Sequence, residues 1–428
     1  MVKLFLAILV GKLISFLTKA LKTGGGSAAP GYYALKIEPK LVEKLANKIP
    51  TNVIITGTNG KTTTARILAH LAKEAGLKVI RNQTGSNLER GIASSLTNNS
   101  SLLTLNSNFD LGIWELDEAA FNSVAPKLKP DIVVFLNVFR DQLDRYGEVD
   151  SVISKWTKTL DKIDSKTTIL INGDDLKLKS LKTIFDGNTE TFGVEDYKIV
   201  GESLEQIGEN HKLDFEAKNV KLDGLNGSHF ILEIRNLKLE ISLPIPGIYH
   251  IYDAVAALAA AHHLNLPTNQ LASSLTHFSP AFGRVEKIKD GFIFLIKNPA
   301  GATQVFETIA PQIKPADRLL LALNDNFADG IDVSWIWDAA VEVLREKWIG
   351  KSVICSGSRA NDVAVRLKYA GFDTKSILVE PDLEKAFSEA RIGLKGTVYV
   401  LPTYTALLEL QEILVENGLK KHYWKEEG

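Results

Sequence analysis

The residues Gly57-Thr58-Asn59-Gly60-Lys61-Thr62-Thr63 place an ammonium group and two hydroxyls directly behind a pair of glycines. That set suits phosphate. Backbone N–H groups of a glycine-rich turn and the positive end of a following helix cradle oxyanions, a lysine meets phosphate oxygens, and a threonine hydroxyl ligates Mg2+. The strict phosphate-loop pattern asks for glycine at position 55, where this chain has Ile55, so the assignment rests on a strand before the turn and a helix after it. An ordinary β-α turn with a solvated lysine is the competing reading. Further on, "WELDEA" sets Glu115, Asp117 and Glu118 behind an apolar run. Hard carboxylate oxygens there suit the Mg2+ that bridges nucleotide phosphates, with Glu115 the candidate ligand beside Thr62. A solvated acidic strand end has the same composition. A third charged block, "NVFRDQLDRYGEVD", offers Asn137, Arg140, Asp141 and Arg145 to a substrate or a metal, or else is a helix start laced with surface ion pairs.

These groups need elements to hold them. Asn52 to Thr56 is apolar and β-branched, and Thr63 to Ala75 carries Ile67, Leu68 and Leu71 at helical spacing, so the turn lies between strand and helix. Strand-like runs "LKVI", "LGIWEL", "PDIVVFLNV" and "TTILINGD" alternate with helical stretches, the grammar of a mostly parallel sheet covered on both faces. Ligands of such sheets bind beyond the strands' C-terminal ends, where both acidic blocks fall. Residues 190 to 243 alternate instead, predicting antiparallel hairpins around Asn236 grafted on this domain. Helical texture returns from Asp253 to Leu264. "GFIFLI", "RLLLALN", "SVICSG" and "TVYVLP" then predict a second doubly wound unit closed by a helix over Leu407 to Glu416. The expected domains are residues 1–48, an amphipathic helix and linker; 49–285, the nucleotide domain; and 286–428, the second α/β domain.

The 428 residues carry a formal net charge of −1, which gives no pull toward nucleic acid. One cysteine, Cys355, excludes an internal disulfide and a cysteine-paired metal site, so no zinc is expected, and a reducing cytosol fits. It sits in an apolar run that reads as a buried strand. At the N-terminus the uninterrupted apolar run Leu4 to Val10 falls far short of the ~20 residues of a spanning helix. Lys12, Ser15, Lys19 and Lys22 share one stripe, with Leu6, Leu9, Leu13, Phe16 and Leu17 elsewhere, followed by Gly24–Gly26 as a hinge. Such a helix suits either packing on the protein's own surface or peripheral contact at an anionic membrane face.

Taken together, the Gly-Thr-Asn-Gly-Lys-Thr loop, Glu115 and the block Asn137 to Asp144 resemble the Mur ligases, which use ATP to join amino groups to carboxylates of peptidoglycan precursors. "NPAG" at Asn298, "LNDNFADGIDVSWIWD" from Leu323, "SGSRAND" from Ser356 and "LPTYTAL" from Leu401 resemble the C-terminal domain of the MurT-type ligase subunits of lipid II isoglutaminyl synthase. The resemblance spans most of residues 30 to 415. It implies a Mur ligase central domain followed by a Rossmann-like domain, and ATP-dependent amidation of the D-isoglutamate α-carboxylate of the lipid II stem peptide through an acyl phosphate. It also implies ATP and Mg2+ as cofactors, a GatD-like glutamine amidotransferase partner supplying ammonia, and a catalytic set of Lys61, Glu115 and Asp332, the last completing the partner's triad. Against that role, Asp325, Asp329 and Asp332 also suit the caps of a helix over Ser334 to Leu344. Three features depart from the family. Residues 194 to 243 lack the four cysteines of its zinc ribbon; His250 and Asp253 stand where it shows asparagine near the nucleotide; and Asp141-Gln142 replaces the Asp-His of many Mur ligases. A stand-alone ligase of the Mur or folylpolyglutamate type, or a nucleotide-binding cell-wall scaffold without chemistry, are the alternatives.

Overall fold

The computed structural model describes residues 2–20, 28–82, 86–102, 108–139, 149–195, 212–235, 237–279, 285–348 and 352–419. Two sheets organise the chain. The first has nine strands in the order β2-β3-β1-β4-β5-β6-β7-β8-β9. Its strands are β1 (Thr51–Thr56), β2 (Val79–Arg81), β3 (Leu111–Leu116), β4 (Ile132–Phe135), β5 (Thr168–Asn172), β6 (Thr189–Val194), β7 (Phe215–Leu222), β8 (Ser228–Ile234) and β9 (Leu237–Leu243). From β2 to β7 every pairing is parallel; β7-β8 and β8-β9 are antiparallel.

The central strands are buried on both faces, which is why they read as unbroken apolar runs. Val53 and Ile55 of β1 face one core, with Ile67, Leu68 and Leu71 of α4 (Lys61–Glu74) and the alanine-rich α9 (Ile248–His263). Ile54, Trp114 and Phe135 face the other. There they meet α1 (Val2–Ala20), α3 (Leu41–Ala46), α5 (Glu89–Asn99), α6 (Glu118–Leu128) and α7 (Val149–Leu160), and α2 (Ala29–Ile37) packs between α1 and α5. A Cβ on Gly31 of α2 would run into the carbonyl oxygen of Arg90, so α2 approaches α5 as closely as backbone allows, and one on Gly11 of α1 would lie 3.1 Å from the Thr97 side chain. A further short helix, α8 (Lys179–Ile184), follows β5.

The second sheet has six strands in the order β10-β11-β15-β12-β13-β14: β10 (Glu286–Ile288), β11 (Gly291–Ile293), β12 (Arg318–Ala322), β13 (Val353–Ser356), β14 (Ile377–Val379) and β15 (Val398–Pro402). Only the β10-β11 hairpin is antiparallel. Helices α10 (Pro299–Ile309) and α11 (Ala360–Tyr369) cover one face, while α12 (Leu383–Arg391) and α13 (Tyr404–Glu416) cover the other.

The architecture is thus the mixed, mostly parallel α/β arrangement expected, with local differences. The phosphate-loop helix starts at Lys61, two residues early, because Gly60 takes a left-handed φ of 88° and the helix follows at once. The sheet runs without interruption into the hairpins, and residues 189–194 form a parallel strand rather than the start of an alternating insert. The helix expected from Asp253 begins at Ile248. No continuous helix covers Ser334 to Leu344; a 3-10 turn over Ser334–Trp337 and a single turn over Glu342–Arg345 stand there. The guanidinium of Arg366 donates to the carbonyls of Ile336 and Ala339, and Ala340 N–H donates to Thr303 Oγ1 at 3.0 Å, so the groups a helix would pair are already taken. In α1, Leu4, Ala7 and Ile8 are buried and Lys12 and Ser15 half-buried, while the larger set Phe5, Leu6, Leu9, Leu13, Phe16 and Leu17 faces out, unlike an ordinary surface helix. Lys22 and Gly24–Gly26 lie outside the described residues. No described helix is long and apolar enough to cross a membrane.

Candidate functional site

The loop Gly57–Gly60 is fastened to the end of β4. Thr58 N–H donates to the Asn137 carbonyl at 3.0 Å, Phe139 N–H to Thr58 Oγ1 at 3.0 Å, and Asn59 N–H to Asn137 Oδ1 at 2.8 Å, while Asn137 Nδ2 returns a bond to the Asn59 carbonyl at 3.1 Å. Asn137 is therefore a brace of the loop. Gly60 is required twice over, by its left-handed φ and because a Cβ would run into Asp253 Oδ1.

Lys61 is buried, and its ammonium donates to the carbonyls of Gly57 and Thr58 and lies 3.7 Å from Glu118 Oε2. Its side chain thus lies beside the open N–H groups at the start of α4, which form an anion cradle. Next to it, Thr62 Oγ1 donates to Glu115 Oε2 at 2.6 Å, both groups buried. The carboxylate is held still by its backbone: Asn82 Oδ1 accepts from Glu115 N–H at 2.8 Å and Asn82 Nδ2 donates to the Glu115 carbonyl at 2.9 Å. A hydroxyl and a carboxylate in contact beside a phosphate cradle are the hard-oxygen set that Mg2+ takes. Asp117 does something else: it caps α6, Oδ1 accepting from Ala120 N–H at 2.6 Å. Behind α6's first turn, the indole of Trp156 donates to the Glu118 carbonyl at 2.9 Å and tilts on Phe135 and Phe121, tying this end of the site to the core.

His250 and Asp253 sit on the first turns of α9. Nδ1 of His250 lies 3.0 Å from Asp253 Oδ2, Thr64 Oγ1 donates to Asp253 Oδ1 at 3.3 Å, and the imidazole packs on Tyr249 with ring centroids 4.2 Å apart. His250 Nε2 is buried and has no hydrogen-bond partner among the described residues. These residues line a cleft of about 790 Å3, open to solvent, with Asn59, Gly60, Thr63 and Asn137 on one side and Phe294, Lys297 and Gln304 of the second sheet's unit on the other. Asn298 joins the two sides. Its Nδ2 donates to Asn59 Oδ1 at 3.0 Å, its Oδ1 accepts from Asn59 Nδ2 at 3.3 Å, and the same Oδ1 caps α10 through Gly301 N–H at 2.8 Å.

Beside the cleft, Asp175 takes Val138 N–H on Oδ2 at 2.8 Å and Lys177 N–H on Oδ1 at 3.1 Å. Burial nevertheless pushes its carboxyl up to about 6, because three backbone donors do not replace the water it has lost. The Cys355 thiol, buried in β13, is pushed up to about 12 by desolvation, which makes it a packing residue rather than a nucleophile.

Of the expected nucleotide residues, Asn59, Gly60, Thr63, Asn137, His250 and Asp253 line one cleft, while Lys61, Thr62 and Glu115 form a buried cluster behind its loop, with the Gly57 and Thr58 carbonyls accepting from Lys61. Arg140, Asp141 and Arg145 lie outside the described residues. Asp332 stands apart, beyond the C-terminal end of β12, solvent-exposed and accepting from Ser334 N–H at 2.8 Å. Of its two neighbours, Asp325 accepts from Ser358 Oγ at 2.7 Å, and Asp329 is buried against Thr405, which donates to it through N–H and hydroxyl. Desolvation holds the Asp329 carboxyl above the usual range. The three aspartates thus separate into two that pin loops and one that faces solvent. Sequence reasoning passed over Asn82, which brackets Glu115; its only signal is a lone asparagine directly after a strand.

Comparison with known proteins bears on this geometry. Residues 55–261 match the Mur ligase middle domain, and residues 295–407 match the MurT ligase C-terminal domain. The chain is 31% identical to the MurT subunit of lipid II isoglutaminyl synthase (glutamine-hydrolyzing) of Streptococcus pneumoniae, over 97% of this chain and 98% of that one. It is 30% identical to the subunit of the same name from Staphylococcus aureus, over 91% and 93%. Among solved structures it superposes on MurF from Acinetobacter baumannii with a TM-score of 0.67 at 14% identity, covering 90% of this chain and 79% of that one. A pseudomurein peptide ligase type C from Methanothermus fervidus gives 0.66 at 21% identity, covering 89% and 81%. Both share the fold.

Proposed function

The chain belongs to the MurT family of Mur ligase-type subunits, and from that premise we propose that it amidates the D-isoglutamate α-carboxylate of the lipid II stem peptide, using ATP and ammonia delivered by a GatD-like glutaminase partner. The observation that carries this is the buried cluster of Lys61, Thr62 and Glu115 at the start of α4, directly behind the loop residues Asn59 and Gly60 that line the cleft. A carboxylate does not react with ammonia at neutral pH. Transfer of the γ-phosphoryl group of ATP to a carboxylate oxygen gives an acyl phosphate and ADP; ammonia then attacks the acyl carbon, and inorganic phosphate leaves as the C–N bond forms.

In this reading, Lys61 leaves the loop carbonyls and pairs with phosphate oxygens, while the N–H groups at the start of α4 receive the rest of the charge. Thr62 and Glu115 would hold Mg2+, which would supply positive charge against the phosphates. Asn82 fixes Glu115, Asn137 fixes the loop, and His250 with Asp253 borders the nucleotide. Arg140, Asp141 and Arg145 are assigned to the substrate, whereas Asn137, the fourth residue of that expected set, is taken up by Asn59 and serves the loop instead. The division of labour follows: 49–285 binds ATP, 286–428 closes the cleft and meets the partner through Asp332, and 1–48 forms an N-terminal appendage. Zinc has no part in this reading, since a thiolate site needs several cysteines and the chain has Cys355 alone. The work is placed in the cytoplasm, at the inner face of the membrane where a lipid-linked substrate resides.

The test is reconstitution. The chain with its glutaminase partner, ATP, Mg2+, glutamine and lipid II should convert the carboxylate to the amide, read by mass spectrometry, with ADP released in step. ATP-dependent addition of an amino acid without glutamine or ammonium would overturn the proposal.

A further inference from the structure

Helix α1 is anchored on a narrow face of small and medium side chains, Leu4, Ala7, Ile8 and Gly11, all buried against the domain. Its opposite face is larger and more apolar. Phe5, Leu6, Leu9, Leu13, Phe16 and Leu17 recur at three- and four-residue spacing and are each between 40% and 69% exposed. Soluble chains rarely leave a contiguous stripe of that kind in water. Helix α2, packed against α1, adds two exposed tyrosines, Tyr32 and Tyr33.

Charge narrows what covers the stripe. The first 37 residues hold five lysines and no acidic residue, in a chain whose formal net charge is −1. On a helical projection at 100° per residue, Lys3 borders the stripe on one side and Lys12 on the other, Lys12 also donating to the Asn98 carbonyl at 2.8 Å. An apolar stripe edged with lysines on a helix that cannot span a bilayer is the pattern of a helix lying in the plane of an anionic lipid interface. A second copy of the same face would bring lysines against lysines.

We propose that the outward stripe of α1 is a membrane-docking surface that seats this chain on an anionic bilayer. The proposal takes from the function above only that the substrate is carried on a lipid. Placement agrees with it. Helix α5 holds α1 at its C-terminal end, through Thr97 and Asn98, and at its other end adjoins the loop where the Asn87 carbonyl accepts from Asp117 N–H at 3.1 Å, next to Glu115. The eleven residues of α5 thus connect the contacts that hold α1 to the loop beside Glu115.

The experiment uses the full-length chain with its partner and vesicles of phosphatidylcholine with or without phosphatidylglycerol. We expect sedimentation with the phosphatidylglycerol vesicles, an about tenfold or greater loss of that binding in the Leu13→Asp/Phe16→Asp double variant, and a smaller loss in Lys3→Glu that disappears on neutral vesicles. The double variant should melt at the wild-type temperature and amidate a water-soluble, lipid-free stem peptide at the wild-type rate, while kcat/KM on vesicle-borne lipid II falls. A wild-type chain that stays in the supernatant, a double variant that sediments as the wild type does, or a dimer in light scattering that the double variant dissolves would each overturn the proposal. Binding is read without turnover, so a complex that sediments yet amidates neither substrate counts against the amidation reading alone.

Discussion

Asn59 of the phosphate loop and Asn298 at the start of α10 exchange both amide hydrogen bonds, at 3.0 and 3.3 Å, across the junction of the two sheets. The loop's conformation and the closure of the cleft are therefore one event. Asn298→Asp separates the two duties of this side chain, because it keeps the oxygen that caps α10 and loses the amide that donates to Asn59. The melting temperature should change little, whereas kcat/KM for ATP should fall about tenfold, the effect of one lost polar contact of about 1.4 kcal/mol. Asn298→Ala should lose the same activity and, in addition, about 1 kcal/mol of stability with the cap. Equal activity in Asn298→Asp and wild type would show that the clasp is incidental.

Lys61→Ala removes the cation that lies among the loop carbonyls and beside Glu118. Amidation with either glutamine or ammonium should drop by roughly two to three orders of magnitude. Near-wild-type ADP release in a steady-state assay would show that the lysine is a loop brace and no more.

Asp332→Asn tests the shared triad. The variant keeps the oxygen that accepts from Ser334 N–H, so the turn beyond β12 should survive. Glutamine-driven amidation should be lost in the complex, while amidation driven by high free ammonium stays at the wild-type rate. A parallel loss with both nitrogen sources would place Asp332 in the fold or the ligase step instead.

Asp175 gives a pH signature. Its folded-state value, about 6, stands above the 3.8 of an unperturbed aspartate, so the folded state binds the proton more tightly. The stability it contributes is present below the unfolded value and is lost as pH rises from about 4 to about 6, in all about 3 kcal/mol at 1.36 kcal/mol per unit. Asp175→Asn cannot ionise. In urea melts from pH 4 to pH 7 it should gain on the wild type across that window and run parallel above it; a pH-independent difference would mean that the carboxylate is solvated.

Much of this site was legible because phosphate chemistry leaves a local trace. Glycines, lysine and threonine in consecutive positions, after a run of β-branched residues, announce Lys61 and Thr62 without long-range information. Glu115 was legible for a related reason, being an acid at the end of an apolar strand. Asn82, Asn137 and Asn298 act through partners up to 239 residues away, and an amide that braces a distant backbone has no pattern of its own in the chain. The helix expected over Ser334–Leu344 failed likewise: its aspartates and apolar spacing are genuine local signals, but Arg366 and Thr303, remote in sequence, take the groups it needed. For α1 the sequence left two readings open, packing on the protein or contact with a membrane face, because periodicity reports that a helix has two faces without saying which one the protein will keep.

The tight seams at Gly11 and Gly31 bear on more than packing. Gly31 of α2 meets the α5 backbone at Arg90 and Ser94, and Gly11 of α1 meets the short, β-branched side chain of Thr97, so neither seam has long side chains to slide or re-rotamerise. The heading of the exposed stripe is then fixed with respect to the mouth of the cleft. A chain that lands on a surface by this stripe lands at a single pitch, and the height of its cleft above that surface becomes a constant of the fold rather than of a swivelling tether.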